Sequence, residues 1–239
     1  MKQLIIFSMM IFISLSVYAN DIYVNQSGAT LDLDITQDGQ NNTVGSSSTA
    51  SSVIGATTNL AITQIGDSNV MTFDVNGANY TGTFSVTGNS NNIDFNCDSG
   101  GSNSSCGTAT ASIVWVGSSN DIDIDIGETS SATSATVGIT GASGSDSNTI
   151  LGTIDGNSAI LTLSVNGDTN NFLVDIDGNG DSVGHTYIHT HTGSIADVDI
   201  TQSGVYDNMI TLTTSGDNAD IDIIPVSYTH LRAHETSLH

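Results

Sequence analysis

The chain has 239 residues, with 25 acidic side chains against 2 basic ones and a formal net charge of −23. The basic residues, Lys2 and Arg232, lie near the two ends, so the long stretch between them has no cation to hold a phosphate, which argues against nucleic-acid binding and docking on anionic lipid. A single Trp and 5% aromatic residues argue against a large mixed core, while 25 Gly against 1 Pro point to many turns and few breaks in a hydrogen-bonded ladder. In chain order, residues 1–19 read as a secretory signal peptide. Lys2 supplies the charged start, Leu4 to Val17 the apolar stretch, and Val17-Tyr18-Ala19 the cleavage site. Export places Cys97 and Cys106 in an oxidising setting.

The body, residues 20–224, contains no Lys, Arg or Pro and carries 24 of the acids. Glycine-bearing turns recur along it. Gly28 and Gly39 are 11 residues apart, as are Gly66, Gly77 and Gly88, and again Gly156, Gly167 and Gly178. Between the turns, apolar and polar residues alternate: Leu31, Leu33 and Ile35 around Asp32 and Asp34; Ile122, Ile124 and Ile126 around Asp123 and Asp125; Leu161, Leu163 and Val165 around Thr162 and Ser164. Period two predicts strands with one buried and one wet face. Gly and Asn suit tight turns, because Gly reaches positive φ without a Cβ clash and Asn bonds its own backbone.

Two 11-residue halves predict a coil of about 22 residues, strand–turn–strand–turn, in an all-β, two-sheet β-solenoid whose coils stack at about 4.8 Å. About nine coils make a rod of roughly 40 Å. Residues 43–59, 97–110 and 127–147 are rich in Ser, Thr, Gly and Ala and are expected to be loops or degenerate coils. Trp115 is expected to fill the coil interior. No domain boundary interrupts the body. From Pro225 the composition changes, and 226–236 resembles the translation of a transposase adapter used in sequencing libraries, so 225–239 is expected to be a non-native tail. His230, Arg232, His234 and His239 are assigned no role.

Three units read Gln-x-Gly-x-x-Asn or nearly so: Gln37-x-Gly39-x-x-Asn42, Gln64-x-Gly66-x-x-Asn69, and Gln202-x-Gly204 with Asn208 one place late. Gln26-x-Gly28 is a half match. These units resemble curlin repeats, the family of subunits that build curli fibres on bacterial surfaces. Elsewhere the Gln position holds another residue and only Gly and Asn remain, so the resemblance is to a divergent or minor member. It implies secretion across the outer membrane of a Gram-negative bacterium and self-association into adhesive cross-β amyloid fibres of a biofilm matrix. Other curlin-like subunits and secretion machinery are the implied partners. The repeat Gln, Gly and Asn would set turns and ladders.

Candidate chemistry is sparse. Asp175-x-Asp177-x-Asn179-Gly180-Asp181 places oxygen ligands as a calcium loop does, but Thr186 stands where the closing acid belongs. The same run also reads as an ordinary repeat turn. Diffuse calcium binding along stacked Asp residues is the broader expectation, and no other cofactor is expected. His185, Tyr187, His189 and His191 share one face of a strand and are expected to be exposed, with zinc or copper binding as the alternative. Cys97 and Cys106 bracket DSGGSNSS and are expected to form a disulfide that pins a loop and does not hold the fold. There is no Gly-x-Ser-x-Gly elbow and no cation for an oxyanion hole, so no enzyme is expected. The apolar stretch is too short to make an integral membrane protein. The alternative to a fibre subunit is a monomeric acidic solenoid that binds calcium or another surface ligand. Ice binding would need Thr-x-Thr rows that persist between coils; only Thr190/Thr192 and Thr211/Thr213 stand out, and no persistent row is expected.

Overall fold

The computed structural model describes residues 21–39, 42–45, 51–66, 69–88, 91–97, 106–117, 119–127, 134–178, 184–206, 208–226 and 229–236. The expected signal peptide lies outside them. Among the described residues there is no helix, and none long and apolar enough to cross a membrane. The strands are β1 (Asp21–Ile22), β2 (Asn25–Asp38), β3 (Thr43–Val44), β4 (Ser51–Ile65), β5 (Val70–Thr87), β6 (Asn92–Cys97), β7 (Cys106–Val116), β8 (Asp121–Ile126) and β9 (Ser134–Gly141). They continue with β10 (Thr149–Asp155), β11 (Ala159–Asn166), β12 (Asn170–Asp177), β13 (Thr186–Thr192), β14 (Ala196–Ser203), β15 (Asn208–Ser215), β16 (Asp220–Val226) and β17 (Thr229–Thr236).

Every pairing is parallel, and the pairings form two ladders. Sheet I runs β1–β3–β5–β6–β8–β10–β12–β14–β16. Sheet II runs β2–β4–β5–β7–β9–β11–β13–β15–β17. The long strands β2, β4 and β5 pass through a corner, so the hydrogen-bonded network is continuous between the two sheets. Each coil contributes one level to each sheet. This is the β-solenoid the alternation predicts.

The coil length is not constant. Ile150 pairs with Phe172, 22 residues on, whereas Ile93 pairs with Ile122, 29 residues on. The extra residues sit at corners and leave the strand registers intact. One insertion lies inside sheet I instead: Val44 pairs with Met71 and Ser51 with Phe73, so the ladder resumes after skipping the single slot opposite Thr72.

Among their described residues, the stretches expected to be loops or degenerate coils are mostly strand. Ser51–Ile65, Cys106–Val116 and Ser134–Gly141 all pair on both sides in parallel register. Their small residues occupy the inward slots, where Ser51, Ala109, Ala111 and Ala135 are buried. Small and large side chains alternate across the interior and so keep its density. Tyr80 and Phe84 stack on and tilt against Phe95 of the opposite sheet, with ring centroids 4.8 and 5.7 Å away. Trp115 is fully buried, as expected, and a Cβ on Gly141 would collide with its indole. The segment from Pro225 continues the ladders: β16 runs to Val226 and β17 pairs with β15.

The corner glycines stack on one another. Gly39, Gly66 and Gly88 have φ of 142°, 155° and 150°, and each donates its N–H to the next coil: Gly39 to Ile65 O and Gly66 to Thr87 O at 2.9 Å, Gly88 to Val116 O at 3.0 Å. A Cβ on Gly88 would run into the Gly66 carbonyl. Gly88→Ala should therefore lower the unfolding free energy by about 1–3 kcal/mol through backbone strain and this collision, read as a drop in the denaturant midpoint.

Candidate functional site: corner ladders, buried histidines and the two outer faces

The Gly-x-x-Asn spacing has a physical reason. At the corner leading from sheet II to sheet I, the Asn three residues after the turn folds its side chain back. Asn42, Asn120 and Asn170 donate Nδ2–H to the carbonyls of Gly39, Gly117 and Gly167 at 3.0, 3.0 and 2.8 Å, and Asn148 does the same to Ser145. The same side chains bridge coils. The backbone N–H groups of Asn69, Asn91, Asn120 and Asn148 donate to Oδ1 of Asn91, Asn120, Asn148 and Asn170 at 3.0–3.1 Å. Asn120 and Asn148 also donate Nδ2–H to the next Oδ1 at 3.0 and 2.9 Å. One amide thus closes its own turn and accepts from its neighbour, all in a buried setting where an unpaired group is costly. Asn148→Ala strips the acceptor from Asn120 and should cost about 1–3 kcal/mol of stability, measured by equilibrium unfolding with circular dichroism intact in the absence of denaturant.

The inward Gln ladder is short. Gln64 Nε2 donates to Gln37 Oε1 at 2.7 Å, and Gln37 Nε2 donates to the Thr43 carbonyl at 3.2 Å. The next slots in that column are Val86 and Trp115, so the ladder stops. Gln202 is not part of it. It lies in sheet I between Ile176 and Pro225 in register, and its buried amide has no hydrogen-bond partner among the described residues. Gly204 and Asn208 accordingly form the opposite corner, leading from sheet I to sheet II. There the Ala159 N–H donates to His185 Nδ1 at 3.2 Å and the His185 N–H to Asn208 Oδ1 at 2.8 Å. His185 fills an asparagine's role.

The histidines point inward, contrary to the exposure expected from their sequence. His185, Tyr187, His189 and His191 are all buried. Their slots are set by register with Leu161, Leu163 and Val165, which face the core. His189 Nδ1 lies 3.0 Å from the Tyr187 hydroxyl, and its ring meets Phe172 edge-on at 4.5 Å. His191 Nε2 lies 2.8 Å from the Gly167 carbonyl and 3.3 Å from Asn170 Nδ2, at the level where the asparagine column gives way to Ala196. Burial lowers the pKa of all three; His189 falls to about 3, by burial first and His191 second. Burial also pushes the Tyr187 hydroxyl up. The folded chain therefore refuses protons that the unfolded chain binds below about pH 6.5. Stability is fully present above that pH and is lost on acidification toward pH 3. For His189 the slope is about 1.4 kcal/mol per pH unit, opposed by neutralisation of the carboxylates. The difference between wild type and His189→Leu, in urea titrations at successive pH values, should isolate that slope.

Of the expected calcium ligands, Asp175 and Asp177 lie two apart on the outer face of β12, while Asn179 and Asp181 fall outside the described residues. Asp177 accepts from the Gly178 N–H at 2.6 Å and from the Ser203 hydroxyl, and these bonds hold its pKa down. Asp175 is raised, by burial first and Asp177 second. Among the described residues no three His, Cys, Asp or Glu side chains converge on a metal position. Cys97 and Cys106 form the expected disulfide. Both are buried and join the last residue of β6 to the first of β7, so the bond closes a corner of the core as well as the insertion, whose residues 98–105 are outside the described set.

The two outer faces differ. On sheet I, Asp94 pairs in register with Asp123, Asp197 with Asp220, and Asp199 with Asp222. On sheet II, Thr36, Thr63, Ser85, Val114, Thr140, Ser164, Thr190 and Thr213 form one column. A single hydroxyl column, broken at Val114, thus runs from coil to coil, hidden in the sequence by the variable corner lengths; paired Thr-x-Thr rows do not persist, since the flanking columns hold Ala61, Gly138 and Ile188 on one side and Ile65, Val116 and Asn166 on the other. No family model, curated protein or solved structure matches the chain.

Proposed function

We propose that this chain is an exported, non-catalytic structural subunit of a curli-like adhesive fibre. The observation that supports it most is the pair of open ladders. β1 and β2, one in each sheet, pair only with β3 and β4 among the described residues. The other side of each is a row of backbone donors and acceptors in the parallel register that a second molecule continues. At the β1–β2 end the apolar Ile22, Val24, Leu31 and Leu33 are only partly covered, so stacking a further coil there buries core surface as well as pairing backbone. The resemblance of Gln37–Asn42 and Gln64–Asn69 to curlin repeats points the same way. Stacked Asp pairs on sheet I oppose assembly, and salt or divalent cations screen them.

The Asp columns also favour a second reading, a monomeric acidic solenoid that binds calcium or another surface ligand. One experiment separates the two. The full chain, refolded from denaturant, is followed by thioflavin fluorescence, negative-stain microscopy and fibre diffraction, with and without calcium. The fibre reading expects seeded growth, faster in calcium, and a meridional reflection near about 4.8 Å. A monomer that ignores seeds but binds calcium in titration calorimetry overturns it in favour of the second.

A further inference from the structure

The acids are partitioned between the two faces. Sheet I presents Asp74, Asp94, Asp123, Asp125, Asp199 and Asp222, among others, to solvent. Along sheet II from Asn59 in β4 to Ser215 in β15, every outward position is Thr, Ser, Asn, Gly, Ala, Met or an aliphatic residue, and no carboxylate or cation occurs in that span; the outward acids of this sheet, Asp32, Asp34 and Asp38, stand at its edge in β2. The same face carries Ile65, Val114, Val116, Ile160 and Met209, each about two-fifths exposed. On a chain with a net charge of −23, one broad face is uncharged, flat, and studded with methyl and hydroxyl groups in straight columns.

We propose that this outer face of sheet II is a lateral interface that pairs with the same face of a second copy. Charge chooses the partner and the side. Two copies repel through sheet I, and only sheet II lets them approach without placing carboxylate against carboxylate. The columns choose the packing. Threonine and valine side chains at a fixed strand spacing interdigitate with an identical array as facing sheets do, about 10 Å apart. The area is sufficient. Strands of seven or eight residues span about 25 Å, and the six spacings from β4 to β15 span about 29 Å. Pairing therefore covers about 700 Å² on each copy, close to the roughly 800 Å² per partner of an ordinary stable interface. The contact is isologous, the same patch on both copies. It does not depend on the end-to-end stacking proposed above, because it uses side chains of the face and no strand edge.

The test uses the full chain, as wild type, as V114E/T162E, and as V114K/T162K. L173E, which adds a charge to the opposite face, is the control. Soluble protein is analysed by sedimentation equilibrium, and any fibres by mass per length. Wild type and L173E should give a dimer, or fibres of two chains per axial repeat. Each double variant should give half that mass with an unchanged circular dichroism spectrum and thermal midpoint. Mixing the Glu and Lys variants should restore the paired mass, an outcome that loss of folding cannot produce. Wild-type protein that stays monomeric when soluble, or gives one chain per axial repeat in fibres, overturns the pairing, whether or not fibres grow. So does a wild-type monomer that shapes growing ice crystals and loses that effect in V114E/T162E, since the face would then belong to ice.

Discussion

A chain that folds back on itself at every half-coil must turn without leaving a buried backbone donor unpaired. Each turn peptide lies flat against the turn of the next coil, which forbids a Cβ at Gly66 or Gly88. Once the turn is made, the N–H three residues later faces the neighbouring coil with no strand partner in line. At Asn120, Asn148 and Asn170 one asparagine amide resolves both demands, donating to its own turn and accepting from its neighbour. Aspartate has no amide donor, and glutamine is one methylene too long for that reach. The column of Asn69, Asn91, Asn120, Asn148 and Asn170 is thus the part on which strand register, interior filling and the division into faces all rest.

Inside that column the packing needs only local agreement. Each coil touches the coil before and after it, so a large residue is accommodated by a small one one level away, as Trp115 is by Gly141, or along its own strand, as Tyr80 is by Gly82. Some polar residues in the interior find partners, Gln64 with Gln37 of the neighbouring coil and Tyr187 with His189 of its own strand. Gln202 lacks such a partner among the described residues. The Cys97–Cys106 bond ties the two sheets together near the middle of the stack, joining the end of β6 in sheet I to the start of β7 in sheet II.

Much of this was legible in the residues. Alternation as in Ile122–Asp123–Ile124–Asp125–Ile126 can only be a strand with one wet face, and glycines at 11-residue intervals, with Asn three residues after Gly39, Gly66, Gly88 and Gly167, mark a repeating turn. Three things were not legible, for a shared reason: corner lengths vary, so the register between coils cannot be counted from the sequence. Ser51–Val53 looked like linker because its inward slots hold small residues. The histidines looked exposed because Thr190 and Thr192 flank them with polarity, and only pairing with Leu163 and Val165 reveals that they face the core. The hydroxyl column on sheet II was invisible because its members come from eight different coils.

The partition of acids has one more consequence. Negative charge spread along one side of a thin body, and confined on the other to Asp32, Asp34 and Asp38 of β2 among the described strands up to β15, gives the molecule a strong electric dipole across its short axis. A body of that kind does not meet a charged surface at random. In the field of an anionic surface it experiences a torque that turns the carboxylate side outward, toward solvent and its counterions, and lays the hydroxyl-bearing side down. Every copy along a stacked rod turns the same way, so the torques add with length. A single subunit is only weakly aligned by such a field, whereas a long assembly is held with one side down along its whole length.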